Sequence, residues 1–414
     1  MNKHVLIRFH KISDPTAIIN AKIFDGENLI DATTVVIKGE FIESVGGKIP
    51  SEAIVIDAKG ATLMPGLIDS HTHTDIDGLK DALLFGVTTE LEMNGHWTFR
   101  QRKNIAERTD IADLRSPGMG VTPKGGHPTQ YMASSDNLLI RFFFRYPAVS
   151  NPDDAVKFVQ KQVSKGADYI KVFIEDGSCI GFPGLPLLDN DTLKAAVDEA
   201  HRNNKMAIAH ATTLSGGKQA VASGIDGLAH LFFDKQPEPE FIAEIVSSGV
   251  FVVPTLVTLS TAFGNDASSA LAADERVKSR LNQKWLTSLS RSMNVYPQGK
   301  IENAFASVMA LYKAGVDILA GSDVSEPLPI LGGLAHGASL HQELMLLVAA
   351  GFMPVESLRA ATSVPARRFS LTDRGRIAPG LRADLLLVDG DPLTNITDTL
   401  SINSVWRSGV KLTM

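Results

Sequence analysis

Cysteine is almost absent: Cys179 is the single one in 414 residues. One thiol excludes an intrachain disulfide and a zinc knuckle built on thiolates. Aromatic residues are scarce, at 7%, and no apolar run approaches the roughly 20 residues of a membrane span. Nor is positive charge in excess. Lys and Arg total 40 against 46 Asp and Glu, a net charge of −6, which offers no electrostatic basis for binding nucleic acid or an anionic membrane. The opening stretch, "MNKHVLIRFHKISDP", has a short apolar patch broken by Arg8, His10 and Lys11 and reads poorly as a signal peptide. No internal repeat or low-complexity segment stands out. What remains is a globular balance, 44% hydrophobic and 21% charged, with material for one large domain or two to three ordinary ones. A cytoplasmic enzyme or binding protein for a small molecule is expected.

The chain changes rhythm twice. "AIINAKIFDG", "TTVVIKGEFIESVG" and "AIVIDAKGATL" are short alternating β-branched runs punctuated by Gly, and "GRIAPGLRADLLLVDGDP" and "INSVWRSGVKLTM" repeat that texture at the other end. Two such segments predict one small β-sandwich domain made from residues 1–63 and 371–414. Between them, residues 64–370 alternate short buried-looking runs with amphipathic stretches. The runs are "MPGLIDSH", "GVTTELEM", "SPGMGVT", "ADYIKVFI", "KMAIAHA", "IDGLAHL", "SGVFVVPTL" and "VDILAGSD". The helical stretches "NPDDAVKFVQKQVSKG" and "DNDTLKAAVDEAHRNN" open on N-terminal capping signals. Eight strand–helix units predict an α/β fold of (β/α)8 TIM-like barrel type, with a doubly wound open sheet as the alternative. Residues 265–315 exceed what one barrel helix needs and predict an extra pair of helices at the site or at a subunit contact.

Metal-competent side chains sit at the ends of these runs. His71 and His73 end the first, Lys171 lies in the fourth, His210 ends the fifth, His230 the sixth and Asp323 the eighth. In a barrel those ends converge at one mouth. His71 and His73, two apart on a strand, share a side. Nitrogen and oxygen ligands of this kind suit a divalent ion at about 2.0–2.2 Å. Zinc fits the set, with manganese, iron or nickel as alternatives. Each residue also has an ordinary reading. The HxH pair can bond backbone, Lys171 can pair with Glu175 or Asp176, His210 and His230 can be core histidines, and Asp323 can cap a helix. Their coincidence at successive strand ends favours the metal site.

The residues "MPGLIDSHTH", "GVTT", "DYIKVF", "AIAH", "GLAH", "AGSD" and the tail "SLHQELMLLVAAGFMPVESLRAATSVPARRFSLTDRGRIAPGLRADLLLVDGDPL" resemble the amidohydrolase superfamily, in its imidazolonepropionase-like, prolidase-like branch. The resemblance runs from about residue 17 to the C-terminus. It implies His71, His73 and Asp323 on one ion, His210 and His230 on a second, and a CO2-derived carbamate on Lys171 bridging the two. It also implies a mechanism in which the ions supply hydroxide near neutral pH and polarise a carbonyl. Asp323 then carries a proton from water to the leaving group. The implied enzyme is a metal-dependent amidohydrolase that cleaves an amide bond, for example of an N-acyl amino acid or dipeptide. A lactonase or other carboxylic-ester hydrolase uses the same ligands. A mononuclear deaminase would need a glutamate after the fifth-strand histidine, which "HATTLSGG" does not supply. A non-catalytic paralogue would have lost ligands, and none is missing. A homo-oligomer is compatible with the resemblance.

The site loops say less. "PKGGHPT" makes His127 a candidate for contacting substrate, against a solvent-exposed turn. Lys124, Arg141 and Arg145 are candidates for receiving a carboxylate, or surface residues. Only 12 residues separate His73 from Gly86, which predicts an open mouth. "EDGSCIGFPGLPLL" predicts an apolar wall, and "SEPLPILGGLAHGASLH" a mobile rim in which His336 and His341 start a helix or face solvent, or else support the site. Trp97 and Cys179 are read as packing residues.

Overall fold

The computed structural model describes residues 14–133, 146–265 and 267–413. Its centre is two runs of parallel strands. Leu67–Thr72 pairs with Val87–Glu92, which pairs with Asp113–Arg115. Ile170–Ile174, Ala207–Ala211, Gly227–Ala229 and Phe251–Val253 form the second run, in that order. A bridge from Val121 to Val172 links the two runs, and residues 317–324 bridge the far edges through Val252↔Ile318 and Thr72↔Val324. This is a TIM-barrel-like α/β arrangement.

The strands alternate as a two-sided sheet requires. Ile170, Val172 and Ile174 pack with the surrounding helices, while Tyr169, Ile208, Ala229, Phe251, Val253 and Leu319 form a separate inner cluster. Lys171, one step from Ile170 and Val172, therefore shares the inner face with Tyr169. Helices Pro152–Ser164 and Asn190–Arg202 begin where the capping signals place them. Asn151 accepts from Asp154 N and Asp189 from Thr192 N, each with acidic residues in the first turn.

Two expected strands differ. The third lies at Asp113–Arg115, and residues 116–122 contribute only the Val121 bridge. Pro117 has no N–H to donate and Gly118 takes a positive φ of 68°, so the ladder stops there. The eighth is not a continuous ladder either. Residues 317–324 are held by single bonds, Leu319 N to Val252 O and Ser70 N to Ala320 O, both 2.9 Å. The 265–315 stretch folds as Ala267–Ala273, Glu275–Lys278, Gln283–Leu289 and Ile301–Lys313, more helices than the expected pair. Helix Ile76–Leu84 fills most of the interval between His73 and Gly86.

Both chain ends meet in one sheet. Leu385–Val388 pairs antiparallel with Thr62–Pro65, in a six-stranded sheet beside a four-stranded one. Ile18, Ile23, Val35, Ile37, Leu63, Leu385, Leu387 and Trp406 form a common apolar cluster. An ion network ties these strands to the parallel sheet. Asp113, fully buried, pairs with Arg374 and lies 3.5 Å from Arg382 and 3.7 Å from Arg407. Arg407 in turn lies 3.3 Å from Asp384. Burial raises the Asp113 carboxyl, but the facing Arg374, Arg115, Arg407 and Arg382 outweigh it and hold the group far below its ordinary value.

Removing one partner of such a buried set leaves uncompensated charge. Asp113→Asn is expected to lower unfolding free energy by about 3–5 kcal/mol, read by urea denaturation. A depressed carboxyl stabilises above the unfolded-state value, roughly pH 4, and loses that contribution as pH falls towards the folded-state value. The wild-type advantage over Asp113→Asn is therefore expected to be flat from neutral pH to about pH 5 and to shrink only in stronger acid. An advantage that grows on acidification would refute this account.

Candidate metal centre

Asp69 organises the backbone beneath the histidines. Its Oδ1 accepts from His71 N (3.1 Å) and Ser322 N (2.9 Å), and its Oδ2 from the Ser322 hydroxyl (2.6 Å). It thereby staples the first strand to residues 317–324 where the sheet ladder is thin. Asp323 N then donates to His71 O, and His73 N to Val324 O, both at 2.7 Å. Gly321 is required by space, since a Cβ there would lie 2.9 Å from His71 N and 2.5 Å from Val253 Cγ1. His230, Thr255 and Asp323 hold positive φ of 74°, 48° and 55°. Non-glycine residues adopt that region at a cost, and such residues gather at functional sites.

The structure brings all six expected residues together. His71 Nε2 is 3.1 Å and His73 Nε2 3.3 Å from Asp323 Oδ1, and His230 Nδ1 is 4.0 Å from Asp323 Oδ2. Ring centroids are 4.6 Å apart for His71 and His230 and 4.5 Å for His210 and His230. One ligand atom from each of His71, His230 and Asp323 falls within 4.8 Å of the others. Hydrogen bonds to the remaining ring nitrogens orient the imidazoles. His73 Nδ1 meets Asn94 O at 3.4 Å, His230 Nδ1 the Thr255 hydroxyl at 2.8 Å, and His210 Nε2 the Glu175 carboxylate at 2.9 Å.

Lys171 is the anomaly. It is 1% exposed and its Nζ has no hydrogen-bond partner among the described residues, and neither has either ring nitrogen of His71. The pairing of Lys171 with Glu175 is not made. Glu175 instead accepts from His210, Thr212 and Gly177 N. Buried polar groups left without hydrogen-bond partners call for something that satisfies them, and a bound cation would do so for the imidazole nitrogens.

Protonation favours the same use. Burial pulls the Lys171 amine down to about 7, against the pull of Asp323 upward. Burial also lowers His71 and His210 to about 3 each, with the Lys171 charge adding to the effect. For Asp323, burial pushes upward, but His71 and His230 prevail and keep the carboxyl well below its ordinary value. Near neutral pH His71, His210 and His230 therefore offer neutral imidazole nitrogens and Asp323 a carboxylate. His71, His230 and Asp323 are close enough together to share a divalent cation.

The other candidates divide. His127 is buried rather than in an exposed turn, and its ring stacks on His210 with centroids 4.4 Å apart. Its Nδ1 lies 2.8 Å from Gln130 Nε2. His336 and His341 are buried and not solvent-facing, and they flank the start of helix Ala338–Ala350, as the helix-start alternative expects. His336 bonds Glu90 (3.0 Å) and His341 bonds Phe85 O (2.8 Å). Lys124 is exposed, and Arg141 and Arg145 lie outside the described residues. In the expected apolar wall, residues 181–187 are largely exposed, and Phe182 packs on Tyr131 at 5.6 Å. Trp97 donates to Glu92 (3.0 Å), and Cys179 is buried. Asp69, Gln130 and Thr255 were not foreseen, and Glu175 was foreseen only as a possible partner of Lys171. The two-residue spacing of Asp69, His71 and His73 was the available signal for the first. Gly321→Ala is expected to destabilise by about 1–3 kcal/mol through overpacking. A melting temperature equal to wild type would show that the first strand and residues 317–324 are not held as closely as described.

Comparison with known proteins places the chain in a family. The chain is 24% identical over 437 aligned residues to ochratoxinase of Aspergillus niger, covering 93% of this chain and 83% of that one. A Xaa-Pro dipeptidase with bound methionine superposes with a TM-score of 0.74 at 21% identity, over 96% of this chain and all of that one, 100%. A prolidase complexed with n-methylphosphonate-L-proline gives 0.73 at 23% identity, over 96% and 99%. The sequence pattern of the amidohydrolase family matches residues 62–412, most of the chain. The protein belongs to the amidohydrolase family and is an enzyme of that family.

Proposed function

We propose that this enzyme is a binuclear metal-dependent hydrolase that cleaves the C–N amide bond of an N-acyl amino acid or a dipeptide. The observation that carries the reading is the buried, unpartnered amine of Lys171 amid His71, His210, His230 and Asp323. In this reading His71, His73 and Asp323 hold one ion, His210 and His230 a second, with Zn2+ the best match to the donors. Lys171 joins them as a carbamate. Its neutral amine nitrogen bonds the carbon of CO2 and one proton is released, and an amine held near 7 has much of that neutral form at physiological pH. The product is an anion with two oxygens in place of a stranded cation.

Divalent ions bound there supply Lewis-acid polarisation of a carbonyl and a water of lowered pKa. The chain's own groups do the rest. Asp323, anionic beside the histidines, accepts a proton from the attacking water and returns it to the leaving nitrogen. His127, with Nδ1 engaged by Gln130, turns Nε2 to a substrate oxygen. The likeness to a Xaa-Pro dipeptidase and a prolidase supports an amide over an ester. We read the two parallel runs and their bridges as a closed eight-stranded barrel over residues 64–370, flanked by a β-sandwich from both ends of the chain. No described helix is long and apolar enough to cross a membrane. We place the enzyme in the cytoplasm, in keeping with its single cysteine.

Protein prepared with zinc and bicarbonate is expected to carry about two metal ions per chain by mass spectrometry, and Lys171→Ala clearly fewer. One ion in both proteins would overturn the bridge. Asp323→Asn is expected to lower kcat on N-acyl amino acids by roughly 10²–10⁴-fold. Near-normal turnover would end its role as proton carrier.

A further inference from the structure

We infer that Glu175 is a positioning residue, holding His210 with Nδ1 turned to the metal and so setting the affinity of one ion of the pair and not the other. The inference rests on the binuclear reading above. Glu175 follows strand Ile170–Ile174 and is 2% exposed. An ionised carboxylate only accepts hydrogen bonds. Three donors converge on this one: Gly177 N at 2.7 Å, the Thr212 hydroxyl, and His210 Nε2 at 2.9 Å. Gly177 N and the Thr212 hydroxyl already donate to Glu175, so with the carboxyl ionised the ring proton of His210 resides on Nε2. Nδ1 is then left as the lone pair available to a cation.

Among the described residues no other imidazole of the site is held this way. His73 Nδ1 leans on a backbone carbonyl and His230 Nδ1 on a hydroxyl, while His71 meets only Asp323. His210 alone of these has a carboxylate other than Asp323 on a ring nitrogen. A carboxylate behind a ligating histidine fixes its tautomer and raises its basicity as a ligand. The anchor also reaches further. His127 is stacked on His210 with an interplanar angle of 27°, so a rotation of His210 would displace the ring proposed to meet substrate. Glu175 therefore aligns a metal ligand and a substrate contact with a single charge. Its commitment to Gly177, Thr212 and His210 also explains why it does not neutralise Lys171, four residues earlier on the same strand face.

The test compares zinc binding to metal-free wild type, Glu175→Gln and Thr212→Val, by chelator competition with the stoichiometry checked by mass spectrometry. Denaturation midpoints are measured alongside. Glu175→Gln is expected to weaken one of two ions by roughly 10- to 100-fold and leave the other and the midpoint near wild type. Thr212→Val removes one donor from Glu175 and is expected to weaken the same ion to a smaller degree. Two ions of unaltered affinity in Glu175→Gln, or equal weakening of both with a lowered midpoint, would overturn the positioning role. Should Glu175→Gln not fold, unaltered affinities in Thr212→Val would overturn it instead. A wild type that binds a single ion overturns the binuclear reading first, and this inference with it.

Discussion

An ammonium ion is too costly to bury alone, and the centre of this molecule depends on that constraint. Lys171 stands on the inner face of its strand with Tyr169, its Nζ 5.7 Å from the centre of the Phe173 ring, and no anion is in hydrogen-bond reach among the described residues. Desolvation of an isolated charge is worth several kcal/mol. The side chain must lose its proton, gain a partner, or change chemically. The nearest carboxylate in sequence, Glu175, is bound elsewhere, and Asp323 acts on it only at longer range. Burial favours the neutral imidazole at His71, His210 and His230, the histidines hold Asp323 towards its ionised form, and His230 and Asp323 sit at positive φ.

The staple at Asp69 shows how a thin sheet edge can carry a precise site. Residues 317–324 lack a regular ladder, and only scattered backbone bonds, Asp323 N to His71 O among them, tie them to the first strand. Asp69 adds a side-chain clamp through Ser322, and the absence of a side chain at Gly321 lets the two segments approach. Below, Asp113 and the arginines of the C-terminal segment join the parallel strands to the antiparallel ones by charge. Site and scaffold thus rest on two buried aspartates with opposite electrostatics. Burial and Glu90 lift Asp69 to about 7, while guanidinium groups hold Asp113 down.

Much of this was legible in the sequence because strand periodicity and strand ends are local signals. His71, His73, Lys171, His210, His230 and Asp323 could be named from their positions at the ends of apolar runs, and the structure gathers them. Capping signals at Asn151 and Asp189 marked two helix starts for the same reason. Misreadings came where the deciding contact was remote. "SPGMGVT" is apolar enough for a strand, yet Pro117 and Gly118 prevent the ladder. His336 and His341 sit in a Gly-rich stretch that looks like a rim, and only tertiary packing against Glu90 and Phe85 shows them to be interior. The ordinary alternative for Lys171 was a pair with Glu175 or Asp176, close by in sequence, and Glu175 is engaged elsewhere. His210, which claims it, is 35 residues away.

The pairing of Leu385 with Pro65 has a consequence for how the chain is made. The two residues are 385 − 65 = 320 positions apart, so during synthesis the strand Thr62–Pro65 emerges long before its neighbour exists. Until the segment around residue 385 leaves the ribosome, that strand offers an open edge, and of the arginines that neutralise Asp113 only Arg115 has been translated, Arg374, Arg382 and Arg407 coming later. A nascent chain therefore has its histidine ligands ordered for assembly well before its base can close, and it spends that interval with an edge that another chain could capture.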